Sequence, residues 1–144
     1  MPPALSGVPM PNFTASQELF RADGLTLAAS SNTVTAATVN QVNGVATGVI
    51  NVQSAGNGLL IVNVSAVSGT GTPTLAVFFQ VEDAYGNWVT VSNATSIGGT
   101  AITGTGTVAG PLSANSIAAY NGRISWTVAG TTPSFTASFD LFGR

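Results

Sequence analysis

Beyond Gly24 the chain alternates apolar and polar residues, the period-2 signature of half-buried strands. The clearest run is Leu59–Val67, where Leu60, Val62, Val64 and Ala66 fall on one face. In Thr74–Glu82 the same face holds Leu75, Val77, Phe79 and Val81. Ala84-Tyr85-Gly86-Asn87 reads as a tight turn, with Trp88–Ser92 as the returning strand of a hairpin. Toward the end, Ile124, Trp126 and Val128 share a face within Gly122–Ala129, and Phe135, Ala137, Phe139 and Leu141 share one within Ser134–Phe142. Shorter candidates are Leu25–Ala29, Thr33–Val39 and Val45–Val52. Ala101–Thr103 and Thr105–Ala109 are weaker, with Gly110-Pro111 as a stop and residues 112–121 as a loop or single helical turn.

The start of the chain reads differently. Pro2, Pro3, Pro9 and Pro11 exclude a helix or a central strand, because proline fixes φ and lacks an N–H. Residues 1–24 are therefore expected to form an extended arm, and residues 25–144 the folded domain. Within the arm, residues 16–22 are expected to make one or two helical turns capped by Ser16 and stopped by Asp23-Gly24, with a short strand or plain loop as the alternative. Pro2, Pro3, Phe13, Leu19 and Phe20 are candidate contact residues, packing on the domain itself or on a neighbour. Removing residues 1–22 is expected to leave a folded domain that assembles less well.

One segment echoes another. Val67-Ser68-Gly69-Thr70-Gly71-Thr72-Pro73-Thr74-Leu75 resembles Val128-Ala129-Gly130-Thr131-Thr132-Pro133-Ser134-Phe135. Each follows a strong strand and precedes another, so both are expected to be hairpin connections. About eight strands joined by short turns predict an all-β fold, a β-sandwich of Greek-key or jelly-roll type, with a barrel as the alternative.

Composition narrows the function. Charged residues make up 6% of the 144 residues, against roughly 25% in an average soluble protein. At 44% hydrophobic content the chain still builds a core. The remaining surface is Thr, Ser, Asn, Gln and Gly, with little electrostatic protection against association. Arg21, Arg123 and Arg144 are the only basic side chains and form no stripe, which argues against nucleic acid as a partner. No apolar run reaches the roughly 18 residues of a membrane span. The first residues lack the basic and apolar regions of a secretory signal, so none is expected.

The chain has no His, Cys or Lys, removing the commonest general base, the thiol nucleophile, the Schiff-base amine and the usual zinc ligands. Glu82 or Asp83 with Asp23 or Asp140 are the carboxylates that could form a glycosidase pair. Asp83 serves better as a turn residue and Glu82 as a solvated one. Asp83 with nearby carbonyls is too sparse for a calcium site. Gly104-Thr105-Gly106 lacks the lysine and helix of a phosphate loop. The sequons at Asn12, Asn63 and Asn93 fit chance in a Ser- and Thr-rich chain. Neither catalytic residues nor a metal or other cofactor is expected. Trp126 belongs to the core by its alternation, whereas Trp88, just after a turn, is a candidate for an interface or for stacking on a sugar.

The stretch from Gly58 to Phe142 resembles small β-sandwich structural proteins of tailed bacteriophages. The resemblance lies in the order of Leu59-Leu60-Ile61-Val62-Asn63-Val64, the Gly71–Leu75 segment, Val77–Val81 and the Asp83–Trp88 turn. Ala101–Thr107, Arg123–Val128 and Gly130–Phe135 complete it. It covers over half of the chain and is closest to capsid decoration (cement) proteins. It implies a non-enzymatic homo-oligomer, often a trimer, on the capsid surface of a virion, made in the host cytoplasm. Such proteins bind across major capsid protein subunits, and many copies acting together make modest interfaces of roughly 1,000 Å² sufficient. Strand addition at an exposed edge, or the arm, is the expected means. A neck, tail or fibre component and a carbohydrate-binding or adhesin module are the alternatives. The Pro-rich arm departs from the pattern.

Overall fold

A computed structural model describes residues 16–28, 35–39, 41–42, 45–46, 49–53, 55–112 and 121–144. Pro2, Pro3 and Phe13 lie outside the described residues. The fold is all-β. Two strands dominate it, β6 (Gly58–Glu82) and β9 (Asn121–Gly143). They pair antiparallel along nearly their whole length, from Gly58↔Gly143 to Val81↔Gly122. The remaining strands are β1 (Gln17–Ala28), β2 (Thr35–Val39), β3 (Gln41–Val42), β4 (Val45–Ala46), β5 (Ile50–Asn51), β7 (Trp88–Thr90) and β8 (Gly106–Leu112).

The expected hairpin connections at Val67–Leu75 and Val128–Phe135 are corrected. Both segments are corners inside continuous strands, lying side by side around the Thr70↔Thr131 pair. The sequence shows two apolar runs interrupted by Gly, Thr and Pro, which a hairpin and a corner satisfy equally. The long ladder decides, because each run finds its hydrogen-bond partners on the other bent strand.

Beyond each side of the corners the sheet is filled out separately. On one side, β1 pairs with residues 134–143 of β9, and β8 pairs with residues 58–64 of β6. On the other, β2 and β5 pair with residues 121–128 of β9, and β7 pairs with the end of β6. The two halves curl onto one another. Ser96 Oγ accepts from Val77 N at 3.1 Å on one half, while the next residue, Ile97, packs against Gly110 of β8 on the other. Leu60, Val62, Val64, Phe135, Ala137, Phe139 and Leu141 from the first half join Leu75, Val77, Phe79, Ile124, Trp126 and Val128 from the second in one core. Alternation thus buries every second side chain on the inner side of the curl.

Three local expectations change. Gln17–Gly24 belongs to β1 and pairs with β9, so the described sheet begins before Leu25 and the strand alternative, not the helical turn, holds at residues 17–22. Phe20 and Ala22 are core residues, which removes the basis for a folded domain lacking residues 1–22. Ala66 is exposed rather than inward, because a register shift between Val64 and Ala66 turns the face. Strand β8 runs through Gly110-Pro111 to Leu112 instead of stopping there. It pairs on one side, with β6, where a proline is tolerated.

The free edge of β6 beyond the corner is closed by side chains and short bridges. Ser92 Oγ accepts from Phe79 N at 2.9 Å, Ser96 Oγ takes Val77 N, and Leu75 exchanges backbone bonds with Ile102 at 2.8 and 2.9 Å. That edge has no row of open amides to offer a neighbouring strand.

Candidate interaction surfaces

The outward-facing positions of β6 and β9 form two surfaces, one on each side of the corners. Beyond the corners, the outer surface carries Phe78, Gln80 and Glu82 from β6, Asn121, Arg123, Ser125 and Thr127 from β9, and Trp88 and Thr90 from β7. The Arg123 guanidinium carbon lies 4.2 Å from the centroid of the Trp88 ring. Arg123 Nε donates to Gln80 Oε1 at 2.7 Å, and Gln80 Nε2 donates to Thr90 Oγ1 at 3.1 Å. Asn121 Nδ2 donates to Glu82 Oε2 at 2.7 Å. Partial burial holds the Arg123 pKa below the ordinary arginine value, with the Glu82 charge opposing the shift. A guanidinium seated on an indole, with its donors placed on neutral acceptors, is a satisfied arrangement. Beside it lies a shallow groove of about 380 Å³, lined by Phe78, Gln80, Thr90, Ser92, Ala94, Ser125 and Thr127.

The adjoining turn is rigidified by Asp83. Its Oδ1 accepts from Tyr85 N and Asn87 N, both at 2.8 Å, and its Oδ2 accepts from Asn87 Nδ2 at 3.0 Å. These bonds, Asn87 first, hold the Asp83 carboxyl below its ordinary pKa. They leave Tyr85 at the tip, 90% exposed.

The other outer surface carries Leu59, Ile61 and Asn63 from β6, Ser138, Asp140 and Phe142 from β9, and Glu18, Arg21 and Asp23 from β1. Arg21 Nε is committed to Asp23, at 3.0 Å from Oδ2, and both side chains are exposed. Asp140 faces Arg21 across the ladder yet has Glu18 for its hydrogen-bond partner. Its Oδ1 is buried without a partner. Burial, and then the charge and hydrogen bond of Glu18, hold the Asp140 carboxyl above its ordinary pKa. Leu59 is 37% exposed. It borders a groove of about 390 Å³, lined also by Ser16, Pro111, Leu112, Phe142 and Arg144.

Of the contact candidates read from the sequence, Trp88 stands in the first cluster. Phe20 is 3% exposed in the core, and Leu19 packs on the core against Gly143. Phe20 is therefore not presented outward, while Leu19 is half-buried. Residue type alone does not mark Arg123, Leu59 and Asp140 as surface features. Their signal was present in the alternation, since each is the outward neighbour of inward residues, but which outward positions stay open depends on the flanking strands. Glu82, expected to be solvated, is half-buried and accepts from Asn121 of β9, and Asp83 serves its own turn; among the described residues no three acidic side chains gather as a metal site. No helix among them is long and apolar enough to cross a membrane.

The fold and surfaces define an all-β chain built on one curled antiparallel sheet. The chain matches no family model, no curated protein and no solved structure.

Proposed function

We propose that this protein is a non-enzymatic virion structural protein that decorates the outside of a bacteriophage capsid and stabilises it by binding across major capsid protein subunits. The resemblance of Gly58–Phe142 to phage decoration proteins is the starting point. The observation that carries the reading is the outer surface around Leu59 and Phe142. There, the exposed Leu59 and the half-buried Phe142 border a groove of about 390 Å³. A protein partner supplying an apolar side chain would fill that groove and cover Leu59. The absence of His, Cys and Lys from the sequence supports a role without catalysis.

The virion location, the homo-oligomeric state and the trimer belong to the same proposal. A neck, tail or fibre position uses the same surface at lower copy number. Glycan stacking on Trp88 is disfavoured, because Arg123 already occupies one face of the ring. Imaging of native particles, with the copy number per particle, tests the proposal. Density over the joints of the shell at lattice copy number is the expected result. Density confined to the neck or tail would replace the reading with the alternative. Binding of purified chain to capsids lacking it is expected to fall with Leu59→Asp and to persist with Tyr85→Ala.

A further inference from the structure

The two outer surfaces make no use of the echo between Val67–Leu75 and Val128–Phe135, and the corners it forms match in detail. Gly69 and Gly130 have φ of 118° and 127°, and Thr72 and Thr132 have φ of 51° and 47°. Left-handed backbone at a β-branched residue is uncommon, and among the described residues these two threonines are the non-glycine cases. The packing is reciprocal. A Cβ on Gly69 would lie 2.9 Å from Pro133 Cα, and one on Gly130 would lie 3.1 Å from Pro73 Cα. Both positions therefore need glycine for the same reason, contact with the other corner's proline. The first corner is longer by one residue, Gly71.

An antiparallel ladder has local two-fold symmetry by construction, so the matching rungs of β6 and β9 carry little alone. The flanking strands are not bound by that symmetry, and they follow it. Before β6 the chain lays down β1 and then β2 with β5. Before β9 it lays down β7 and then β8. The first strand of each series pairs with the final stretch of a long strand: β1 with residues 134–143, β7 with residues 80–82. The second pairs with an initial stretch: β2 and β5 with residues 121–128, β8 with residues 58–64. The registers agree as well. Leu60 pairs with Leu141 and with Gly110, while Gly122 pairs with Val81 and with Ile50.

We propose that the chain is an internally duplicated, strand-exchanged dimer in one polypeptide. Its two units are residues 17–82 and 88–143, related by an approximate two-fold axis through the paired corners. In the first unit, β1, β2 and β5 all complete the long strand of the second. In the second unit, β8 completes the long strand of the first, and so does β7, through the hairpin turn that joins the units. The partner that such a unit fits is another copy of itself, and the turn at 83–87 keeps that copy attached. The β3–β4 segment is an insertion in the first unit. This inference does not depend on the capsid role.

Two changes to the full chain test it. Deleting residues 84–87 prevents β7 from folding back on its own β6, so units must pair between chains. The expected product has twice the parent's mass by light scattering, with the circular dichroism of the parent. A product of the parent's mass with parental circular dichroism, or an unfolded chain, would overturn the proposal. Deleting Gly71 makes the first corner as short as the second. If the corners are equivalent, this variant folds with an unfolding midpoint close to the parent's, whereas deleting Ala76 from the adjoining strand, which flips its register, abolishes folding. Loss of folding in both deletions would refute the equivalence.

Discussion

The two outer surfaces are built on one ladder and end in opposite electrostatic conditions. Counting outward from Thr70↔Thr131, Gln80↔Arg123 and Ile61↔Asp140 are the seventh rung on either side. On one side the charge is a cation, seated on Trp88 and bonded to Gln80. On the other it is an anion with a second carboxyl, Glu18, for a neighbour and an apolar Ile61 beside it. The backbone is equivalent, so the difference belongs to the side chains alone. One surface is internally complete. The other has an exposed Leu59 at the border of a groove, which is why the proposed contact with a partner is placed there.

The first test asks whether the two sides share one core. Phe79 and Phe139 are both buried and stand on the sixth rung from the corner on either side. Phe79→Ala and Phe139→Ala are each expected to destabilise the whole chain by about 3–5 kcal/mol, in a single transition. Denaturant unfolding followed by tryptophan fluorescence and circular dichroism checks this. Two separate transitions would show that the sides fold independently.

A smaller effect probes the satisfied surface. Arg123→Ala removes the cation from the Trp88 ring and the donor from Gln80, at an expected loss of about 1–2 kcal/mol. Chemical denaturation measures it. Ile61→Ala, on the same rung across the corner, removes packing but no polar partner, so its effect should not change with added salt.

The acidic side is sharpened by pH. The folded state holds Asp140 above its ordinary pKa, so between that ordinary value and the raised one the folded chain binds more protons than the unfolded chain. Stability should therefore fall as pH rises through this window. Asp140→Asn should remove the fall and leave the variant more stable than the parent near neutral pH. Thermal midpoints across a pH series decide it, and an unchanged profile in the variant would contradict the assignment.

Asp83 has the opposite sign and the smallest expected effect. Its pKa is depressed by bonds from Asn87 and Tyr85, so its contribution is present above the unfolded value and is lost as pH falls through the folded one. Asp83→Ala should flatten that acid-side loss and increase hydrogen exchange at Tyr85 and Asn87, with little change elsewhere.

Much of the inner face was legible from alternation. Leu60, Val62, Val64, Leu75, Val77, Phe79, Ile124, Trp126 and Val128 are inward as their spacing predicts, because the period of a strand is fixed by backbone geometry. Ala66 escaped, since a bulge adds a residue without leaving a mark in the pattern. Phe20 was read as part of an arm because the prolines before it dominate the local composition, yet its burial comes from pairing with β9, more than a hundred residues away. The contact surfaces were less legible. Trp88 was noticed for its type, but Arg123 gains its role from a strand partner that sequence spacing does not specify.

The sequence by itself determined an all-β chain, its inward residues and the glycines, threonines and prolines that repeat at the two corners. Those features are local, set by backbone period and by which residues tolerate left-handed conformations. Tertiary structure alone decided that the repeated segments are bends lying against each other rather than separate hairpins. It also decided that the units exchange their short strands and that one outer surface is closed while the other stays open. Hydrogen-bond partners distant in the chain make those choices, and a strand's own residues satisfy any of several partners equally well until the whole sheet is assembled.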